Sequence, residues 1–148
     1  MIIFTALRLN KLYLYGMMPV NDLKKDLYYT IHHEWIEFHD TRAVVGITHF
    51  RLTGIKQIKK IEFLRIYGFK KRGEALANIQ FDRGRIQVHI PVDGNIIAIN
   101  DVNLLVDQNL LLNHPETSGW LVKILVSQPC EKKALISYDQ FYKSTPPV

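Results

Sequence analysis

Apolar and polar side chains alternate through much of this chain. In Arg85–Ile90 the apolar Ile86, Val88 and Ile90 interleave with Arg85, Gln87 and His89, which sets one face in a core and the other in water. Tyr28–Phe38 (YYTIHHEWIEF) is dense in aromatic and β-branched residues and lacks Gly and Pro, so it predicts a strand. His39-Asp40-Thr41 supplies turn chemistry, and Arg42–Thr48 returns as the second arm of a hairpin. Lys59–Ile66, Ala75–Phe81 and Asn95–Ile99 predict further strands, and the nearly all-apolar Trp120–Val126 predicts a central one. Asp82-Arg83-Gly84 joins two of these strands, with Gly84 expected to supply left-handed backbone angles. Pro91-Val92-Asp93-Gly94 is a turn and Asn113–Gly119 a loop.

Helical signals are short. Residues 49–57 predict a brief linking helix. Pro129–Tyr142 places Ala134, Leu135, Tyr138 and Phe141 at helical spacing, with Ser127 as a candidate N-cap. That stripe reads as packing against the sheets. Short strands at close spacing predict a sandwich or small barrel.

With 148 residues, 47% hydrophobic and 22% charged, the chain fits one domain able to bury its own core. The single Cys130 allows no internal disulfide, which points to a reducing compartment such as the cytoplasm. The net charge is +5 and the pI about 9.3. That excess permits an acidic partner without requiring nucleic acid.

Residues 1–21 carry Arg8 and Lys11 and no acid, and are set apart as an N-terminal extension from a domain at 22–148. Met17-Met18 stands just before PVNDLKKDLYY, so an early start is one reading. A targeting presequence, which would lead to the mitochondrial matrix, is another, and an ordered extension is the third. Arg8, Asn10 and Lys11 interrupt the apolar run, which excludes a membrane span there.

Taken in order, the segments from Tyr28 to Tyr142 resemble the H protein of the glycine cleavage system. His33-Glu34-Trp35, Val45-Gly46-Ile47-Thr48, Gly73-Glu74, Pro91-Val92-Asp93-Gly94, Asn100, Asn113 and Gly119-Trp120-Leu121 carry the likeness. The resemblance implies a mainly β barrel-sandwich hybrid of two antiparallel sheets, like lipoyl and biotinyl carrier domains, with short helices including one at the C-terminus. It also implies a carrier and not an enzyme. Such proteins hold an aminomethyl group on a lipoyl arm attached to one lysine. The arm visits glycine decarboxylase, aminomethyltransferase and dihydrolipoyl dehydrogenase.

Counting from Val45-Gly46-Ile47-Thr48, or back from Pro91, places the family's lipoyl-lysine at residue 83, which here is Arg83. The family's Glu-Ser-Val-Lys-Ala reads Gln80-Phe81-Asp82-Arg83-Gly84, and no lysine lies between Lys71 and Lys123. Lipoylation needs a neutral amine nucleophile, and a guanidinium is always protonated and delocalised. Arg83 is therefore expected not to be lipoylated, and no cofactor is expected on this chain. Asp82-Arg83-Gly84 then reads as a plain turn, or as a fixed positive charge that docks on a carboxylate or phosphate. A lone Cys130 behaves as a small hydrophobe and not as a substitute carrier.

Residues 51–72 hold Arg51, Lys56, Lys59, Lys60, Arg65, Lys70, Lys71 and Arg72 against Glu62. The family is typically acidic, and its Leu-Gly-Asp reads Ile55-Lys56-Gln57 here. The stretch reads as the solvated face of two strands, or as a patch for an acidic protein or nucleic acid. His32, His33, His39 and His49 lack the Cys or spaced carboxylate that would complete a metal site. Three functions stay open: a carrier lipoylated at a non-standard site, a non-lipoylated interaction module, and a decayed copy. The module is the favoured expectation. Its candidate partners are the family's enzymes or the lipoate-attaching enzymes, with no membrane and with nucleic acid not favoured.

Overall fold

β-branched and aromatic residues take the strand positions that alternation assigns them. The computed structural model describes residues 26–64 and 67–144. Residues 1–25, 65–66 and 145–148 lie outside them, and with them the expected N-terminal extension at 1–21 and its boundary. Among the described residues ten strands run β1 Leu27–Tyr29, β2 Glu34–His39, β3 Arg42–Ile47, β4 Ile58–Phe63, β5 Gly68–Lys70, β6 Ala75–Phe81, β7 Gly84–His89, β8 Gly94–Ile99, β9 Val122–Val126 and β10 Ile136–Ser137. Three short helices are α1 Asp101–Val106, α2 Asn109–Asn113 and α3 Tyr138–Ser144.

The strands form two antiparallel sheets. One has the order β10-β1-β2-β3-β9-β8-β5, the other β4-β6-β7. β9 is central in the larger sheet, as its apolar composition predicts. The mainly β architecture with a C-terminal helix stands; the sheets remain open and no closed barrel forms among the described residues. Between the sheets, Ile36, Val45 and Ile124 of the larger one meet Ile58, Ile79, Ile86 and Val88 of the smaller, with Leu104 and Leu111 of α1 and α2 in the same core. Outside the larger sheet, α3 covers β1–β3 through Tyr29, Trp35 and Phe141.

Several expectations are corrected. Tyr28–Phe38 is two strands, not one. A tight turn at Thr30–His33 separates them, with His33 at φ 64°, and the His33 amide donates to the Thr30 carbonyl at 3.0 Å. Histidine is among the few side chains that tolerate this region, and the Thr30 hydroxyl accepts from the Glu34 amide at 3.2 Å. The tail helix begins only at Tyr138. Its cap is Ser137, not Ser127: Ser137 Oγ accepts from the Gln140 amide at 3.2 Å, and Gln140 Oε1 accepts from the Ser137 amide at 3.4 Å. This is a capping box. Ala134 and Leu135 precede the helix, though Leu135 still joins the core.

Residues 49–57 hold only a 3-10 turn at Phe50–Leu52. β5, α1 and α2 went unpredicted. α1 and α2 span six and five residues and have no side-chain cap bond. Gly84 has no positive φ; it is the ladder partner of Phe81.

Candidate functional site

The β6–β7 hairpin ends in a two-residue turn, Asp82-Arg83, between the paired Phe81 and Gly84. Phe81 faces the core and packs against it, so the hairpin is anchored just below an exposed tip. Arg83 is exposed and forms no ion pair among the described residues. Register also brings in two residues that chain distance concealed. Ile58 pairs with Phe81 and Lys60 with Gln80, so Lys59 and Lys60 of β4 stand beside the tip. About 20 residues of sequence separate them from Arg83, and only the β4–β6 ladder could have revealed it.

At the other end of β7 lies a cleft of about 260 Å³ lined by Thr30, His32, Glu34, Arg72, His89 and Pro91, among others. Its floor is Glu34, 2% exposed. Glu34 Oε1 accepts from the Thr30 hydroxyl at 2.7 Å. Glu34 Oε2 accepts from the His89 amide at 2.8 Å and lies 2.9 Å from His89 Nδ1. The buried carboxylate thus ties β2 of one sheet to β7 of the other, and its hydrogen bonds offset the cost of burying it. The tip and the cleft are roughly 17 Å apart along β7, at ~3.4 Å per residue, farther than an arginine side chain extends.

The other likeness-bearing residues are framework too. Trp35 Nε1 donates to the carbonyls of Ile47 at 3.1 Å and Pro115 at 3.0 Å, and its ring lies over Gly46. A Cβ at position 46 would stand 2.6 Å from the indole. Asn100 Nδ2 donates to the carbonyls of Ser118 at 3.0 Å and Trp120 at 2.8 Å. A Cβ on Gly119 would stand 2.6 Å from the His114 carbonyl.

The histidines are not gathered. His32 lies against His89 with ring centroids 5.3 Å apart. His33 stacks on Phe50 at 4.9 Å and meets the edge of Phe141. Both sit in the turn, not in a strand. Burial lowers the His33 pKa, and the Arg51 charge lowers it further. No group of three His, Cys, Asp or Glu suited to a metal occurs among the described residues. Cys130 packs against the core, and burial pushes its thiol pKa up. The basic stretch does not form one solvated face. Lys70 is buried and donates to the Ala75 carbonyl at 2.8 Å, and Lys71 and Arg72 lie in the loop at the cleft end of β6. No helix among the described residues is long and apolar enough to cross a membrane.

Comparison with known proteins agrees with this architecture. The family model described as glycine cleavage H-protein matches residues 27–146. A probable glycine cleavage system H protein of Aeropyrum pernix is 35% identical over 123 residues, covering 82% of this chain and 85% of that protein. A glycine cleavage system H protein of Listeria monocytogenes is 31% identical over 122 residues, covering 82% and 96%. A crystal structure of a glycine cleavage system H protein from Mycobacterium marinum superposes with a TM-score of 0.67 over 80% of this chain and 95% of that one, at 20% identity.

Proposed function

Since the chain belongs to the glycine cleavage H-protein family and yet carries arginine at its β6–β7 tip, we propose that it is a member that bears no lipoate. On this reading it keeps the family fold as a protein-interaction module. The family's members are carriers and not enzymes, so the loss concerns cargo and not catalysis. One observation carries the reading: Arg83 occupies the exposed turn, and residues 72–122 contain no lysine. A guanidinium cannot form the amide that a lysine amine forms with lipoate. Intact Glu34, Trp35 and Asn100 contacts support a domain that still folds. The partners that fit are the glycine cleavage enzymes or the enzymes that attach lipoate, which the module would hold or compete for.

A second reading has one observation behind it. Lys59 and Lys60 stand beside the tip, so either offers an amine close by for a displaced lipoyl group. Both readings are tested by the intact mass of the protein expressed with a lipoate ligase and excess lipoate. The proposal expects no mass gain. A gain of one lipoyl group, mapped by peptide sequencing to Lys59, Lys60 or any other lysine, would overturn it and restore the carrier role.

A further inference from the structure

The three-stranded sheet turns one face to solvent, and register orders its side chains in rows. Lys60, Gln80 and Arg85 form the row nearest the tip; Glu62, Asn78 and Gln87 form the next. Directly paired residues share a face, and strands lie about 4.8 Å apart, so Lys60 and Arg85 stand about 10 Å from each other. Lys59 adjoins Lys60, and Arg83 lies in the turn just beyond. All four cations are exposed, and none ion-pairs among the described residues. Some cations elsewhere are engaged: Lys132 with Asp26 at 3.2 Å, Lys70 with the Ala75 carbonyl, Lys123 over the Trp120 ring.

We propose that this end of the sheet, Lys59, Lys60, Arg83 and Arg85, docks an acidic protein surface through its carboxylates. The inference rests on the interaction-module reading and names the class of partner. Two observations favour a protein over nucleic acid. Among the described residues no exposed aromatic ring lies on this face to stack a base, since Phe63 and Phe81 pair with Ala77 and Ile58 on the core side. Asp82 and Glu62 also sit among the cations. An unbroken phosphate backbone would meet both of them, whereas a protein surface of mixed sign can match the pattern. The arginine forks engage carboxylates in bidentate fashion, and the amides of Gln80 and Gln87 add neutral hydrogen-bonding capacity beside them.

The test is titration of the full chain with a fluorescent oligoglutamate peptide at low salt, beside a single-stranded oligonucleotide of equal charge. Lys60→Glu with Arg85→Glu is expected to weaken peptide binding at least about tenfold. Lys133→Glu with Lys143→Glu carries the same change of net charge on exposed residues outside this sheet, and is expected to stay within about threefold of wild type. Lys60→Arg with Arg85→Lys should restore binding, and thermal melting checks that each variant folds. Equal loss in both glutamate pairs, or no peptide binding by wild type, would overturn the proposal. So would tighter binding of the oligonucleotide with the same dependence on Lys60 and Arg85. The assay uses no lipoate, so a lipoyl adduct overturns the proposed function without touching this result, and a failure here leaves the mass measurement standing.

Discussion

A methyl group added at Gly46 would press on the face of Trp35, whose indole is held by two carbonyls 80 and 12 residues away in sequence. The ring cannot retreat without losing those bonds. Gly46→Ala is therefore expected to cost about 2 kcal/mol, within the range for overpacked cores, as a lower urea midpoint at unchanged slope. His33 gives a second residue-level prediction. Its ring takes up a proton less readily in the fold because it is half-buried and faces Arg51, and these outweigh the favourable charge of Glu34. The folded pKa lies below the ordinary 6.5, so below that pH the unfolded chain binds a proton that the folded chain refuses. The contribution to stability is full above 6.5 and is lost as pH falls toward the folded value. His33→Asn keeps a residue suited to positive φ. Its urea midpoint should fall less than that of wild type between neutral pH and about pH 5.

Among the elements, α3 depends most on one side chain. Phe141 is 2% exposed and stacks on Tyr29 at 4.1 Å between ring centroids and 12° between planes. Phe141→Ala is expected to cost about 3 kcal/mol and to speed amide exchange in β10 and α3 before the rest of the fold. The strands were legible because their signal is local. Arg85–Ile90 alternates in sequence and alternates in burial. The failures share a different cause. The break at Thr30–His33 uses a histidine and a threonine hydroxyl where a glycine or proline would have announced a turn. α1 leaves Val102, Leu105 and Val106 exposed, so no apolar stripe marks it. Ala134 and Leu135 fit a helical period by coincidence: both lie in a turn before the cap, with Ala134 exposed and Leu135 buried. At the site, the run Phe81–Gly84 was legible as a hairpin turn with Arg83 in it. Lys60 beside it and Glu34 gripping His89 were not, because each pairing depends on how strands far apart in sequence align.

For the whole molecule, the consequence of Arg83 can be separated from that of its surroundings. If the fold is otherwise sound, Arg83→Lys supplies the exposed hairpin-tip amine that the wild type lacks. Co-expressed with a lipoate ligase, the variant is expected to gain one lipoyl group while wild type gains none. Failure of the variant as well would assign the loss to the altered Gln80–Gly84 segment as a whole. The likeness to H proteins rests on Trp35, Gly46, Asn100 and Gly119, which hold sheets and loops in place. At the tip, the Arg83 side chain is exposed beyond the Phe81 anchor. Replacing an exposed, unpaired side chain there changes the folding free energy little, and cellular quality control sorts chains by how often they unfold. A lineage could thus exchange the cargo-bearing residue without the altered protein ever being marked for degradation. On the proposed reading, selection on folding and selection on cargo act on different parts of such a chain, and the second can lapse while the first continues.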